Sequence, residues 1–589
     1  MTTPGIDRET YNAIYGPTTG DRIRLGDTSL WAEVEHDDVP HGDELLGGCG
    51  KTLRDGLLAR PRGDRESALD LVVAGVVLID PVLGVRKTHI GVKDGRVVPF
   101  QGAIIDSHTA IVPGEGLIAT PGIVDSHVHL SSPQIAPAAL ASGVTTVVGM
   151  GLGGVWDVGV NPARNLHMLM SAWRGTALNV AFLARGSSSS RQLLEEAVLA
   201  GAGGFKIHED FGATPRIIDT CLGVAEDADL PVALHSDSMN ESGYLADTIS
   251  ATRGRTVHAY HVEGGGGHPD LLEILSEPHV LPSSTTPTIP YTTNTVGELF
   301  PMTMTVHRQN HHIGSDVEVT RSRVRAHGIA AENVLHDLGA ISIVNSDSMG
   351  MGRVAETVRR TWQLAHLHEL RELAAIGTAG SGRGAAGSGR GAAGSGRGAA
   401  GSGGGRAGGL GGGSRSANER ILRYLAKLTV NPALAHGMAH EVGTLLPGRL
   451  ADIVLWHPAW FGAKPELVIK SGFVAHGVSG SGSGSTRLTQ PRVYRDYFGG
   501  LGDAPAQLSR IFVAHDALDA ADTRDALPRG LRYAAIKNAR GLTRADMYRN
   551  IATPSVVVPR EPGPVLVDGA EVSMDPATQV PLAQLHHFA

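Results

Sequence analysis

Cysteine is almost absent from this 589-residue chain, with Cys49 and Cys221 the only two. Two thiols cannot build a disulfide framework or a cysteine-rich zinc site, so a reducing compartment is the default. Long apolar runs are missing too: no stretch approaches the roughly 18 uninterrupted apolar residues of a membrane-spanning helix. The opening MTTPGIDRETYNAIYG has no basic flank followed by an apolar run, which speaks against a secretion signal. There is no basic excess either. Lys plus Arg is 51 against 59 Asp plus Glu, a net charge of −8, whereas a dedicated binder of nucleic acid or anionic membrane carries a basic footprint. What remains is a soluble protein expected in the cytoplasm. Hydrophobic residues at 41% supply a sizeable core, and the length predicts one large barrel plus a smaller domain.

Histidine and glycine are the residues in excess. The 27 histidines fall in tight local groups. Many of the 78 glycines sit in residues 377–416, where AGSGRGA occurs three times in succession (379–385, 386–392, 393–399) before GSGGGRAGGLGGGSRS. The repeat contains no apolar residue larger than alanine, so it cannot stack into a solenoid and predicts a flexible basic loop. A shorter Gly/Ser run follows at 478–485.

Between Ile123 and Ser346 lie eight short apolar runs: IVDS (123–126), VTTVVGM (144–150), LNVAFLA (178–184), GGFKI (203–207), PVAL (231–234), TVHAY (256–260), HVLPSS (279–284) and ISIVNS (341–346). Helix-like stretches such as SRQLLEEAVLAGA and DLLEILSE separate several of them. Strands alternating with helices predict parallel βα units, and eight of them predict an α/β fold, a (β/α)8 barrel with its chemistry at the strand C-termini. The flanks differ. DLVVAGVVLIDPVLGVRKTHIGVKDGRVV (70–98), with Asp94-Gly95 as a hairpin signal, shares its texture with GRLADIVLWHP (448–458) and PELVIKSGFVAHG (465–477). The prediction is a β-rich domain assembled from both sides of the barrel. The expected division is an N-terminal β-rich part (1–122), a barrel (123–435) containing the insertion 377–416, a returning β segment (436–486) and a C-terminal segment (487–589).

Residues with metal-ligand chemistry end five of the eight strands. The first ends in Asp125-Ser126-His127-Val128-His129, the fourth in Lys206-Ile207-His208, the fifth in His235, the sixth in His258-Ala259-Tyr260-His261, and the eighth in Ser346-Asp347-Ser348. A single such histidine would read as a satisfied core imidazole, but five positions in this order are hard to attribute to chance. A His-x-His pair can aim both rings at one ion if the strand end twists or bulges. In the sixth-strand group one histidine suffices as a ligand, with His258 free to hold the other in place. Lys206 is informative because an ammonium is repelled from a cationic site. Deprotonated and carboxylated by CO2, it becomes an anion that bridges two ions. Two metals held by four histidines, one aspartate and a lysine carbamate would activate water and polarise a carbonyl, the chemistry of amide-bond hydrolysis. Such ligands suit zinc, nickel or iron, and ligand type does not choose among them.

At the level of whole motifs the chain resembles the α (catalytic) subunit of urease, within the metal-dependent amidohydrolases. The resemblance is carried by GFKIHEDFGATP (204–215), VALHSDSMNESG (232–243), LPSSTTPTIPYTTNT (281–295), LHDLGAISIVNSDS (335–348), ADIVLWHPAWFG (451–462) and PLAQLHH (581–587). It runs from about Tyr11 to the C-terminus, interrupted by the two Gly-rich segments. It implies two nickel ions, with His127, His129 and Asp347 at one, His235 and His261 at the other, and carbamylated Lys206 between them. It further implies that His208 hydrogen-bonds the urea carbonyl, that a mobile flap around Met304-Thr305-Val306-His307 brings His307 as proton donor, and that Arg323 orients the substrate. The implied partners are smaller β and γ subunits in a trimer of αβγ units, together with nickel-insertion proteins. The chain departs from the family at Val306, where a cysteine is usual, in GMGLGGVWDVG (149–159), and in Ser-Met-Gly-Met-Gly after Asp347. Two other readings stay open: hydrolysis of a cyclic or other small amide with zinc, and a non-catalytic assembly subunit.

Overall fold

All eight apolar runs form strands. The computed structural model describes residues 5–39, 68–100, 105–106, 108–151, 163–208, 212–235, 244–263, 269–381, 417–480, 493–519 and 527–583. The strands are β1 (Ile123–Leu130), β2 (Val144–Gly151), β3 (Asn179–Phe182, resuming at Ala184–Arg185), β4 (Phe205–Ile207), β5 (Val232–His235), β6 (Val257–Tyr260), β7 (Val280–Thr285) and β8 (Ile343–Asn345). Neighbours pair parallel from β1 to β8. An isolated parallel bridge between Val128 and Ser348 then brings the end of β8 back to β1. The strands are buried along nearly their whole length, as a parallel sheet covered on both faces requires. Their side chains, among them Val124, Val147, Val180, Phe205, Leu234, Ala259 and Val344, join one continuous core.

Helices Arg191–Leu199, Pro215–Ala228, Leu245–Thr252 and Ala326–Leu338 lie between successive strands. Cys221 sits fully buried on Pro215–Ala228. The stretch before β7, Pro269–Ser276, is a 3₁₀ helix. Arg544, also buried, donates to the carbonyls of Leu275 in the last turn of this helix and of Glu277 and Val280 just beyond it, at 2.6, 2.9 and 3.2 Å. Its C-terminal carbonyls are thus satisfied from outside.

The barrel opens at β3. Asn179–Phe182 pairs with β2 on one side and with Ile511–Val513 on the other, and Tyr533–Ala535 adds a further parallel strand. Only after the break at Leu183 does Ala184–Arg185 reach β4. The two added strands come from a part of the chain in which sequence reading assigns none. They are three residues long, too short for any periodicity to register.

The flanking β-rich segments meet in one ten-stranded sheet. Its two parts join where Ile118–Pro121 pairs antiparallel with Ile453–Trp456. Within it Gly84–Lys93 turns back onto Arg96–Val98 through Asp94 and Gly95, both left-handed at φ 50° and 76°, which suits the right-handed strand twist. A buried polar knot ties this sheet to the barrel. Asn179 of β3 donates to Thr146 Oγ1 (3.0 Å) and Asp452 Oδ2 (2.7 Å) and accepts from the Arg510 N–H. Lys470 Nζ lies 2.5 Å from Asp452 Oδ2.

The helix Thr357–Ser381 continues into the first residues of the predicted flexible insertion; 382–416 lie outside the described residues, as do Cys49, Glu209, Asp210 and most of the 149–159 segment. Across the insertion, helices Thr357–Ser381 and Ala417–Leu428 are stapled together. Arg420 reaches Glu369, Glu372 (2.7 Å) and Asp337 (3.0 Å).

Candidate metal centre

The strand ends bring the predicted ligands together in one nest, all of them buried except the half-buried His235. In β1, Asp125 and Val128 oppose Val147 and Gly149, so β1 carries an extra residue there. This is the bulge that a His-x-His pair needs, and bulges re-aim side chains. Both rings of the pair reach the same carboxylate: Asp347 Oδ1 is 3.3 Å from His127 Nε2 and 3.0 Å from His129 Nε2. Ligand atoms of His127, His129 and Asp347 lie within 4.8 Å of one another. His261 Nε2 is 3.7 Å from Asp347 Oδ2, and Lys206 Nζ is 3.3 Å from His127 Nε2. From His261 the rings continue outward, with His235 4.5 Å away and His208 stacked on His235 at 4.3 Å.

Two of these residues pay a conformational cost. Asp347 and His261 both have left-handed backbones, at φ 51° and 53°. Such strain in a non-glycine residue persists only where the surroundings impose it, and it clusters at functional sites. Asp125 supplies part of that frame from β1 by accepting from the N–H groups of Ser346 (3.0 Å) and His127 (3.3 Å). Burial pushes its carboxyl up to about 6, which the bonds from Ser346 only partly offset.

The electrostatics prepare the imidazoles for a metal. Burial, then the Lys206 charge, holds His127 well below the usual histidine range; burial, then the His208 charge, does the same to His235. Both rings are therefore neutral, the state in which a nitrogen lone pair is available. Burial works to raise Asp347, but the hydrogen bond from His129 and the charges of His261 and His129 outweigh it and keep the carboxyl ionised. Imidazoles, one carboxylate and one amine gathered in this nest fit a metal centre.

Residues behind the ligands support the nest, and of these sequence reading gives a role only to His258. Tyr260 stacks on His127 at 3.9 Å and presents its ring face to Lys206 Nζ at 4.1 Å. Glu263, its carboxyl fully buried, accepts from the Thr285 hydroxyl (2.6 Å) and lies 3.5 Å from His261 Nδ1. His258 shares a 2.8 Å hydrogen bond with His436, some 178 residues away in the chain. The strand pattern could have pointed to Tyr260, flanked by His258 and His261, and to Glu263, two residues past His261. Nothing local marks His436.

The expected flap is the helix Thr295–Val306 with His307 as its C-cap. His307 is half-buried and donates from Nδ1 to the Thr303 carbonyl at 2.9 Å, leaving Nε2 as its other nitrogen. Its charge contributes to the lowering of His235, after burial and the charges of His208, His261 and Lys206. Val306 packs against a small apolar cluster that includes Leu299, Ile329 and Met351. Arg323 is the partly buried last residue of the following helix, Gly314–Arg323.

A parallel barrel with imidazoles, a lysine and an aspartate gathered at its strand ends defines the class: a metal-dependent hydrolase of the amidohydrolase type. Residues 118–380 and 407–486 match the Amidohydrolase family, and residues 4–107 match the family described as Urease alpha-subunit, N-terminal domain. The chain is 44% identical to Urease subunit alpha 2 of Streptomyces coelicolor over 595 aligned residues, covering 99% of each. It is 43% identical to Urease subunit alpha of Sulfurisphaera tokodaii, again with 99% of each covered, and 42% identical to that of Natronomonas pharaonis over the full length of both. The chain belongs to the urease α-subunit family. No helix among the described residues is long and apolar enough to cross a membrane.

Proposed function

We propose that this chain is the catalytic α subunit of a urease, hydrolysing urea to ammonia and carbamate with two nickel ions, the carbamate then yielding CO2. The observation that carries the reading is the convergence of His127, His129, Lys206, His235, His261 and Asp347 in one nest on a chain of this family. His127, His129 and Asp347 would hold one ion, and His235 and His261 the other. Lys206, once deprotonated, would add to CO2: an N–C bond forms, one N–H proton leaves to solvent, and the carbamate would help to hold both ions. When bound, the ions lower the pKa of a water and polarise the urea carbonyl.

The chain's own residues do the rest. His208, stacked on His235, donates to the urea carbonyl oxygen. His307 holds the proton that the leaving nitrogen takes, its ring oriented by the Nδ1 bond to Thr303. Arg323 orients the substrate from the neighbouring helix. The flap, once closed, excludes water and completes the site. We read the chain as part of a multi-subunit urease with β and γ subunits, as a trimer of αβγ units, loaded by nickel-insertion proteins in the cytoplasm.

The test is co-expression of the chain with its genomic neighbours in nickel medium, followed by metal counting and ammonia release from urea. Two nickel ions per chain with urea turnover is the expected result. Zinc with turnover of another amide but not urea, or a folded complex without metal or turnover, overturns it.

A further inference from the structure

Lysine and histidine side chains do not hold a two-metal arrangement unaided. A lysine has a flexible four-carbon stem, and second-layer contacts set where such ligands point. Tyr260, the last residue of β6, is fully buried behind the nest. Its ring is parallel to that of His127 to within 17°, with centroids 3.9 Å apart, and Lys206 Nζ lies 4.1 Å from its centroid. Its hydroxyl donates to the Ser126 carbonyl at 2.5 Å, one residue before His127. The ring is held in turn by His258, edge-on at 4.7 Å, whose Nδ1 is bonded to His436. One side chain from β6 thus touches a ligand from β1 and the lysine from β4, and is tied to the backbone of β1.

We propose that Tyr260 is a positioning residue for the metal bridge: its ring and its anchored hydroxyl hold Lys206 and His127 in the arrangement in which the lysine, once carboxylated, bridges the two ions. The inference rests on the reading of Lys206 as a carbamate. It concerns assembly of the centre, so it predicts a defect in loading before any defect in turnover.

The experiment uses the co-expressed complex, freed of metal and reloaded with nickel at graded bicarbonate. It reads nickel per chain and the 13C signal of a lysine carbamate formed from labelled bicarbonate. In Tyr260→Leu, which removes the ring, the bicarbonate or nickel needed for half-loading should rise about 10–100-fold, the range seen when groups behind a ligand are lost. Tyr260→Phe keeps the ring and loses only the anchor, so it should shift loading in the same direction by less, about two- to tenfold. Thermal melting of the metal-free forms shows whether each variant folds; should Tyr260→Leu not fold, the phenylalanine variant decides. Parent-like loading and carbamate signal in Tyr260→Phe, and in Tyr260→Leu if folded, overturn the proposal. Lys206→Ala is the separate control: if it loads two ions, or if the parent loads without bicarbonate, the carbamate reading itself has failed.

Discussion

Two buried lysines sit in contrasting surroundings, one at a seam between sheets and one among the candidate metal ligands. Lys470 and Lys206 are almost equally inaccessible, at 0% and 2% exposed. Lys470 lies at the seam between the β-rich sheet and the barrel, 2.5 Å from the Asp452 carboxylate and 3.2 Å from the Thr145 carbonyl. Burial lowers its pKa while Asp452 opposes the shift, which makes it one member of an ion pair locked by Asn179. Lys206 lies 3.3 Å from the His127 Nε2 and 4.1 Å from the centre of the Tyr260 ring, with four more imidazoles and the Asp347 carboxylate in the same nest. At the same depth the same side chain has a different expected role in each place, an ion-pair partner at the seam and a ligand among candidate metal donors at the strand ends. Burial alone identifies neither role; the neighbours do.

Removing each lysine should break the comparison in opposite ways, and the larger effect is on activity. Lys206→Ala should lose both metals and all measurable urea hydrolysis while the metal-free protein melts close to the parent. Small carboxylates at high concentration should restore part of the activity. Full metal occupancy in this variant without added acid would contradict the assignment. His307→Ala comes next. The metals should stay bound while turnover falls by roughly 10²–10⁴-fold, the span of a lost general acid. An unchanged rate would remove His307 from the mechanism.

Lys470→Met should spare the chemistry of the folded protein and strike stability. It strands Asp452 in the interior, at a cost of about 3–5 kcal/mol for an orphaned buried charge. Denaturant unfolding measures it, and a parent-like midpoint would mean the pair contributes nothing. Thiol reagents sharpen the contrast at the flap. Cys221 is buried, and burial pushes its thiol up to about 12, so almost no thiolate is present at neutral pH. With Val306 in the flap, urea hydrolysis should resist alkylation yet yield to hydroxamates, and Val306→Cys should create thiol sensitivity. Rapid inactivation of the parent with Cys49 and Cys221 unlabelled would refute the flap alignment. The smallest effect belongs to the insertion. Replacing 382–416 with a short Gly/Ser linker should change stability little, since each doubling of a flexible loop costs only about 0.6 kcal/mol and Arg420 already closes the helical pair. A loss of several kcal/mol would mean that the segment packs.

The barrel was legible because a strand buried on both faces must be a near-continuous apolar run, and eight such runs sit between Ile123 and Ser346 with polar donors at their ends. The ligand candidates were legible for a related reason: histidine, lysine and aspartate are costly at buried strand ends unless something there uses them. The returning β segment could be read from its texture at Ile453–Trp456 and from the turn after Lys470. The strands Ile511–Val513 and Tyr533–Ala535 could not, because three residues carry no period and their place beside β3 depends on a break in that strand.

By itself, then, the sequence determined which residue types end which strands, and so the class of chemistry and the family. Tertiary structure alone decided how those residues are aimed. The bulge in β1 and the left-handed backbones at His261 and Asp347 aim the side chains, while the Tyr260 ring against His127 and Lys206 and the contact of His258 with His436 join chain segments far apart in sequence. Local propensity acts over a few residues, whereas the orientation of a ligand is set by what packs behind it, and here that packing comes from other strands and from the far end of the chain.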